Sequence, residues 1–252
     1  MIGLGARTLF VKEVRRYLRV PGQTLLSPLV TTTLYFLVFG WSLGARLQEV
    51  DGLPYARYIV PGLVVLGAVT NAYLNSASSL FVMKLQGTIV DVLVSPLSYA
   101  EILGAFVAAA VTRGMLVAGV TWAVAGAFTG FGVAHPLAAA GLLALAAVGF
   151  AGLGFMTAIW AGSFEKVNFF PTFVIVPLTF LGGVFYSVDR LAEPFRTISL
   201  FNPVVHMVVG LRAGMLGLPL PRTAGMTILL LLAFCATALA YRLLKSGYKL
   251  KA

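Results

Sequence analysis

The polar side chains that interrupt the apolar runs of this sequence are suited to holding a polar group inside a membrane. Asn71 and Asn75 lie in one such run, and Arg113 lies near the middle of the next. A cation at that depth is expensive unless it is paired or hydrated. We therefore interpret Arg113 as paired with a backbone carbonyl or with one of the asparagines, which would otherwise link neighbouring helices.

Catalytic and cofactor chemistry is not indicated by the other polar residues. No lysine follows a glycine, so the Gly-x-x-x-x-Gly-Lys-Ser/Thr loop that holds nucleotide phosphates is absent from the sequence. The acidic residues cluster at the edges of the apolar runs, and no triad or carboxylate pair is close in sequence. Cys235 is the one cysteine, and His135 and His206 lack ligand spacing. We expect no enzyme activity, metal site or cofactor in this chain.

The composition is typical of a membrane protein with several spans. Hydrophobic residues make up 60% of the 252 residues, charged residues make up 10%, and the mean hydropathy is +0.96. Soluble domains carry about 25% charged residues. The net charge of +10 fits the bias of Lys and Arg toward the cytoplasmic side of membrane proteins, and no nucleic-acid partner is expected.

Six apolar runs are long enough to cross a membrane, which predicts an all-α fold in one domain, residues 1–252. Their predicted bounds are Thr24–Leu43, Tyr58–Met83, Ile102–Phe128, Pro136–Ala161, Phe169–Tyr186 and Thr223–Leu244. In residues 1–20, basic and apolar residues interleave at helical spacing, which predicts an amphipathic helix on the membrane surface, with its cations near lipid headgroups. Residues 188–222 contain Pro203 and an apolar stretch, Val204–Leu216, of the length of an outer re-entrant segment.

The segment between the second and third runs, residues 84–101, is short and polar at both ends. Thr88 can cap a helix that extends to Val94, with Asp91 three residues after the cap. Pro96 ends this helix, because proline lacks an amide donor and clashes with the preceding turn. A short, half-apolar helix between two spans cannot be a span itself, so it lies at the membrane surface or docks into another protein.

The distribution of Lys and Arg places this segment and both termini in the cytoplasm. With six spans, eleven of these cations fall inside, six fall outside, and Arg113 lies within the membrane. The positive-inside rule requires a bias in this direction. The predicted location is therefore the cytoplasmic (inner) membrane, with several passes.

Three stretches carry a resemblance to the membrane subunits of type 2 ABC exporters, which include permeases for drugs, capsular polysaccharide and nodulation lipo-oligosaccharide. Gly87–Leu97 is similar to the cytoplasmic coupling segment of that family, and Pro171–Ser187 is similar to its fifth span. Phe201–Val205, followed by Gly210–Arg212, resembles the outer segment after that span. Residues 1–20 resemble its interfacial connecting helix.

The resemblance implies two permease copies, as a homodimer, with two copies of a separate ATPase that binds ATP and Mg. The helix at 88–94 would move with the ATPase and switch the access of the permease. The residues implied to couple the two proteins are Lys84, Gly87, Thr88, Asp91, Leu93, Ser95 and Pro96. For Asp91, a contact with the ATPase and helix capping alone both stay open.

Contact with a substrate is the second role that we assign to particular residues. The candidate pathway residues are Asn71, Asn75, Arg113, Phe180, Phe185 and Tyr186. For Arg113 the role would be to line a cavity for an anionic or polar headgroup, which is the alternative to local pairing. The last three would form an outer constriction, although Tyr186 fits an aromatic interface belt better. The candidate hinge residues are Pro171, Pro177, Gly182, Gly183 and Pro203, with helix kinks and close packing as the alternatives.

These expectations combine into the permease subunit of an ATP-driven exporter for an amphiphilic substrate, such as a drug, a lipid or a lipid-linked saccharide. Two other classes stay open. A secondary transporter or flippase would work without an ATPase, and a structural or assembly factor would move nothing. The lack of carboxylates within the predicted spans disfavours a proton or sodium relay.

Overall fold

The computed structural model describes residues 3–44, 49–130, 132–218 and 223–250, and 82% of it is helix. The helices are α1 (Leu4–Leu18), α2 (Ser27–Tyr35), α3 (Tyr55–Leu85), α4 (Ile89–Val94), α5 (Tyr99–Thr129), α6 (Pro136–Trp160), α7 (Phe164–Phe170), α8 (Val176–Phe180), α9 (Phe195–Leu200), α10 (Pro203–Leu216) and α11 (Thr223–Ser246). Turns of π-helix extend α2 at Gly22–Leu26 and Phe36–Leu43 and join α7 to α8 at Pro171–Ile175. A small antiparallel hairpin pairs β1 (Glu49–Val50) with β2 (Leu53–Pro54) before α3. Of the predicted outer cations, Arg46 and Arg222 lie outside the described residues.

Five helices in the described part of the chain are long and apolar enough to cross a membrane. They are Gly22–Gly40, Tyr55–Leu85, Tyr99–Thr129, Pro136–Trp160 and Gly225–Ser246. Each coincides with a predicted span, and the second and third extend beyond the predicted bounds at both ends. The predicted count of six spans is not confirmed, because the remaining apolar run does not form a helix of this length.

That run, predicted as Phe169–Tyr186, forms a broken helix. Its helical pieces are α7, the π turn and α8, with 7, 5 and 5 residues, and they end at Phe180. Pro171 begins the π turn and Pro177 lies in α8. Because proline donates no backbone hydrogen bond and crowds the preceding turn, the regular ladder is interrupted at these points. The interruption by proline was predicted, but the early end of the helix was not.

α3 lies at the centre of the bundle, with α5 and α6 packed along it. Glycines allow the close approach of these helices. A Cβ on Gly114 of α5 would lie 2.8 Å from the carbonyl oxygen of Ala68 in α3. Gly154 of α6 lies so close to the backbone of Tyr73 that a side chain has no room. α2 and α11 lie outside this core, and most of their surface is exposed.

Different short helices lie at the two ends of the bundle, and we use them to define a proximal and a distal end. α3 has 31 residues, so its ends are about 45 Å apart. The proximal end carries Leu85, α4 and the beginning of α5, and the distal end carries Tyr55 and α8 to α10. The predicted N-terminal helix is α1, which packs against α5 and buries Leu9, Glu13 and Tyr17.

The predicted short helix between the second and third spans is present as α4. Thr88 precedes it but forms no capping hydrogen bond, and its hydroxyl instead lies 3.4 Å from the carbonyl oxygen of Met83, so the capping prediction is wrong. A capping box occurs instead at the start of α5. The Ser98 amide donates to Glu101 Oε2 at 2.9 Å, and the Glu101 amide donates to Ser98 Oγ at 3.2 Å. The sequence Ser-x-x-Glu was available as a signal for this start.

The apolar stretch Val204–Leu216 forms most of α10, and its re-entrant placement stays a prediction. Asn202 caps it by accepting a hydrogen bond from the Val204 amide at 2.9 Å, and its Nδ2 donates to the carbonyl oxygen of Leu178 at 2.6 Å. Pro203 occupies the first helical position, where its missing amide hydrogen is not needed. With 14 residues, this helix is shorter than a membrane span.

Candidate functional site: a polar cleft and an exposed short helix

A polar cleft of about 430 Å³ lies among α2, α3 and α5. The α2 side presents Gln23, Ser27 and Thr31, which are exposed, so the cleft can be reached from outside the chain. Asn71 of α3 and Arg113 of α5 line the cleft as well. The structure therefore brings together two of the candidate pathway residues that are distant in sequence.

Arg113 has no hydrogen bond or salt bridge to any residue in the described part of the chain, and its buried Nε lacks a partner. Asn71 does not pair with it, because its Nδ2 donates to the carbonyl oxygen of Gly67 at 3.0 Å. Asn75 does not pair with it either, because its Oδ1 accepts from Arg16 at 2.9 Å. The pairing interpretation of Arg113 is therefore wrong, and the structure places the side chain at the wall of the cleft.

A buried polar cluster joins α1 to α3. Glu13 is completely buried, and its Oε2 accepts hydrogen bonds from Ser79 and from Arg16 Nε, the latter at 3.1 Å. The Nη2 of Arg16 donates to the Oδ1 of Asn75 at 2.9 Å and to its carbonyl oxygen at 3.2 Å. Each charged side chain in this cluster thus has an opposite charge or an oriented dipole beside it, which fixes α1 against α3.

This cluster was not predicted from the sequence, because we interpreted the charges of α1 as one surface that faces lipid headgroups. That interpretation is wrong for Arg16, which faces α3. The available signal was the spacing of Leu9, Glu13 and Tyr17, which puts the carboxylate in the middle of the buried stripe of α1. Asn75, a candidate pathway residue, holds α1 and is not part of the lining of the cleft.

Aromatic side chains pack at the distal side of the cleft. The ring centroid of Phe185 lies 5.5 Å from that of Phe180 and 5.9 Å from that of Tyr35. Tyr35 also lines the cleft, so this aromatic cluster is continuous with the cleft wall. Tyr186 takes part through its backbone, where its carbonyl oxygen accepts from the Tyr58 hydroxyl at 3.0 Å. Phe180 and Phe185 therefore lie close enough together to form a constriction.

Arg212 of α10 is buried and holds the distal end together. Its guanidinium carbon lies 3.7 Å from the ring centroid of Tyr58, and its Nη2 donates to the carbonyl oxygen of Gly183 at 3.0 Å. Tyr55 adds a parallel link, since its hydroxyl donates to the carbonyl oxygen of Phe185 at 3.1 Å. From the sequence we interpreted Arg212 as an outer charge and as part of the stretch that resembles the family's outer segment. Its position inside a largely apolar helix was the signal for a structural role.

The candidate hinge residues are closely packed. A Cβ on Gly182 would lie 2.7 Å from Val204 Cγ1. Gly183 has φ +69°, in the left-handed region that favours glycine. Pro171 is buried at the π turn, and Pro203 begins α10. This geometry fits the close-packing alternative for the glycine pair, and a bending role for these residues stays a prediction.

The proximal end presents an exposed surface around α4, which we call the lever surface. It comprises Leu85, Gly87, Thr88, Val90, Asp91, Val94 and Pro96. Val94 is 76% exposed, whereas Ile89 and Val92 are buried and anchor the opposite face of α4 in the bundle. Leu93 and Ser95 are half-buried at its edge. An apolar surface with one carboxylate at its centre is typical of a protein docking site.

Lys84 does not belong to the lever surface, although we assigned it to coupling. Its Nζ donates to the carbonyl oxygens of Ile159 and Ala161 at 2.7 and 2.8 Å. These carbonyls end α6, where the helix ladder leaves them unpaired and the helix dipole is negative. Leu97, just after α4, packs so closely on α1 that a Cβ on Gly5 would lie 2.7 Å from it. Movement of α4 and the chain beside it would therefore also displace α1 and α6.

A helical bundle of several spans, with a polar cleft among them and an exposed short helix at one end, defines a polytopic membrane transport subunit. The model of the ABC-2 type transporter family matches residues 5–216, and the chain belongs to this family. It is a permease-family membrane subunit of the transporter, and such permeases normally work with an ABC ATPase. The matched residues include α1 from its second residue onward, α4, the cleft and α10.

Named relatives agree with this assignment. Inner membrane transport permease YadH of Escherichia coli strain K12 is 37% identical over 231 residues, which cover 90% of each chain. Nodulation protein J of Rhizobium leguminosarum bv. viciae is 30% identical over 198 residues, which cover 78% of this chain and 76% of the relative. Nodulation protein J of Rhizobium meliloti strain 1021 is 29% identical over 210 residues, which cover 82% and 80%.

Proposed function

We propose that this chain is the permease subunit of an ATP-driven exporter, that it lies in the inner membrane, and that it moves an amphiphilic substrate. The observation that carries the proposal is the polar cleft with Arg113 inside a bundle that belongs to the ABC-2 type transporter family. The name of YadH, an inner membrane transport permease, supports the location and the transport role. The cleft has polar and apolar walls, which suits a molecule with a headgroup and an apolar part.

The energy comes from a separate ATPase that docks on the lever surface from the cytoplasm. Val90 and Val94 offer apolar contacts that are 51% and 76% exposed, and Asp91 offers a charge for a cation of the partner. ATP and Mg are bound by the partner, because this sequence lacks the phosphate-binding loop. Closure of two ATPase copies would push α4 on each of two permeases.

The force has a physical route into the bundle. α4 is anchored through Ile89 and Val92, and the end of α3 is tied to α6 by Lys84. α1 contacts the chain after α4 and is tied to α3 by the Glu13 cluster. A displacement of α4 would therefore move α1 and the walls of the cleft together, as a rigid-body switch does.

A second copy of this chain completes the transmembrane unit in the proposal. The broken helix presents Phe173, Phe180 and, beyond it, Phe201, which are 64%, 48% and 82% exposed. An exposed aromatic surface of this kind suits contact with another protein. We assign it to the homodimer interface.

The test is reconstitution of the permease with the P-loop ATPase that co-purifies with it. We expect the ATPase to bind wild-type permease and to hydrolyse ATP in a permease-dependent manner. The Asp91→Lys variant should keep its fold, because Asp91 is exposed, but should lose coupled transport. Glu165→Lys is the matched control, since Glu165 is an exposed acid that lies outside α4. If transport continues without an ATPase, the proposal is wrong and a secondary transporter takes its place.

A further inference from the structure

The cleft concentrates hydrogen-bond donors without any acid to neutralise them. Arg113 has no hydrogen-bond or salt-bridge partner among the described residues, and the carboxylate of Glu13 is already paired with Arg16. The lining residues of the cleft include no carboxylate in the described part of the chain. The Oγ1 of Thr70, another lining residue, is buried and lacks a hydrogen-bond partner among them. A partly buried guanidinium whose Nε is enclosed and unpaired favours an anion in such surroundings.

The position of Arg113 limits the kind of anion that can reach it. Arg113 is 14 residues from Tyr99, so it lies about 21 Å along α5 from its proximal start. Leu63, Leu66 and Val176 form apolar parts of the cleft wall. A small hydrated anion would have to lose its water beside this apolar surface, whereas the headgroup of an amphiphile could carry an apolar tail that fills it.

We propose that the cleft binds the anionic headgroup, a phosphate or a carboxylate, of an amphiphilic molecule, and that Arg113 is the residue that binds the anion. The guanidinium can donate two parallel hydrogen bonds to such a group, and Ser27 and Thr31 line the same cleft. The volume of about 430 Å³ lies within the range of small-molecule sites and accepts a headgroup with part of its chain. This inference rests on the permease function proposed above and specifies its substrate class.

The test measures binding of dodecyl phosphate to the purified full chain in a neutral detergent by native mass spectrometry. We expect wild type to retain it and Arg113→Gln to bind it at least about tenfold more weakly, because charge-assisted hydrogen bonds are lost. Arg113→Lys should restore part of the binding. Thr31→Phe should also block it while leaving the charge in place, and the exposure of Thr31 makes this variant compatible with folding. Arg57→Gln, which changes an exposed arginine outside the cleft, should bind normally.

Two further probes separate the sources of the headgroup. Phosphatidylglycerol that binds as tightly as dodecyl phosphate, and with the same dependence on Arg113, supports the site with bilayer lipid as its occupant. Dodecyl phosphate binding without phosphatidylglycerol binding supports transported cargo instead. If inorganic phosphate binds as tightly as dodecyl phosphate, the site does not require an amphiphile and that part of the proposal is wrong. If wild type and Arg113→Gln bind dodecyl phosphate equally, Arg113 does not bind the anion and the proposed site is wrong. Because this assay uses neither ATP nor the ATPase, its failure is distinct from failure of the permease function.

Discussion

Two arginines of this bundle, each with a buried Nε, lie in opposite surroundings. Arg212, at the distal end, stacks on Tyr58 and donates to the carbonyl oxygen of Gly183. Arg113, in the cleft, has no partner among the described residues, although the Nε of each arginine is equally buried and unpaired. The difference therefore lies in the partners that the surrounding residues offer to each side chain.

The presence or absence of partners inside the chain separates a structural cation from one that is available for binding. A buried charge is costly unless partners compensate for it. Arg212 is compensated inside the chain, so it should contribute to stability. Arg113 is not compensated, so its removal should leave the fold intact or improve it. Substitutions at these positions test whether each charge contributes to stability.

The largest effect on stability is expected at Glu13, a third charge, which is completely buried and paired with Arg16. Glu13→Ala removes the acceptor of Arg16 Nε and of the Ser79 hydroxyl, which should lower the free energy of unfolding by about 3 kcal/mol. SDS titration in mixed micelles measures this quantity. Glu165→Ala, at an exposed acid, is the control and should change little. If Glu13→Ala unfolds at the same SDS concentration as wild type, the cluster does not stabilise the packing of α1 on α3.

Arg212→Met should give the next largest loss of stability. It removes the stacking on Tyr58 and the hydrogen bond to Gly183, which together should contribute about 2 kcal/mol. The same titration measures the change, and limited proteolysis of the distal segment should show that α10 is released first. If Arg212→Met is as stable as wild type, the contrast between the two arginines fails.

Tyr58→Phe should have a smaller effect, because it keeps the ring under Arg212 and removes only the hydroxyl. The lost hydrogen bond to the Tyr186 carbonyl oxygen should cost about 1 kcal/mol. Measured beside Arg212→Met, this variant separates the stacking from the hydrogen bond. A loss as large as that of Arg212→Met would mean that the hydroxyl, rather than the stacked ring, holds the distal end.

Arg113→Met should change stability least, by less than about 0.5 kcal/mol, because no partner is left behind. Transport by the reconstituted complex should nevertheless fall strongly. Arg57→Met serves as a control for loss of a cation at the surface. A marked loss of stability in Arg113→Met would instead indicate a structural pair, as the sequence first suggested.

The long helices of the fold were predictable from sequence because uncharged apolar runs of this length have one stable form in lipid. The early end of the broken helix at Phe180 was not, because it depends on how Gly182 packs against α10. Apolar periodicity located α1 but not the burial of Glu13, because the partner of Glu13 is more than sixty residues away in the sequence.

The candidate site was predictable in part. Arg113 and Asn71 were identified because polar side chains in apolar runs are conspicuous, and α4 was identified because Pro96 bounds it. The role of each polar residue was not predictable, since periodicity does not say which side chain an asparagine faces. Asn71 and Asn75 are one helical turn apart, yet one lines the cleft and the other holds Arg16.

The side of the membrane that the lever surface faces tests most directly whether an ATPase can drive this chain. With Cys235 replaced by serine, Val90→Cys and Asp189→Cys each place one thiol at an exposed position, proximal and distal. A membrane-impermeant maleimide should label Val90→Cys only in inverted vesicles and Asp189→Cys only in intact cells. Labelling of Val90→Cys in intact cells would put α4 on the side without ATP and would contradict the proposed mechanism.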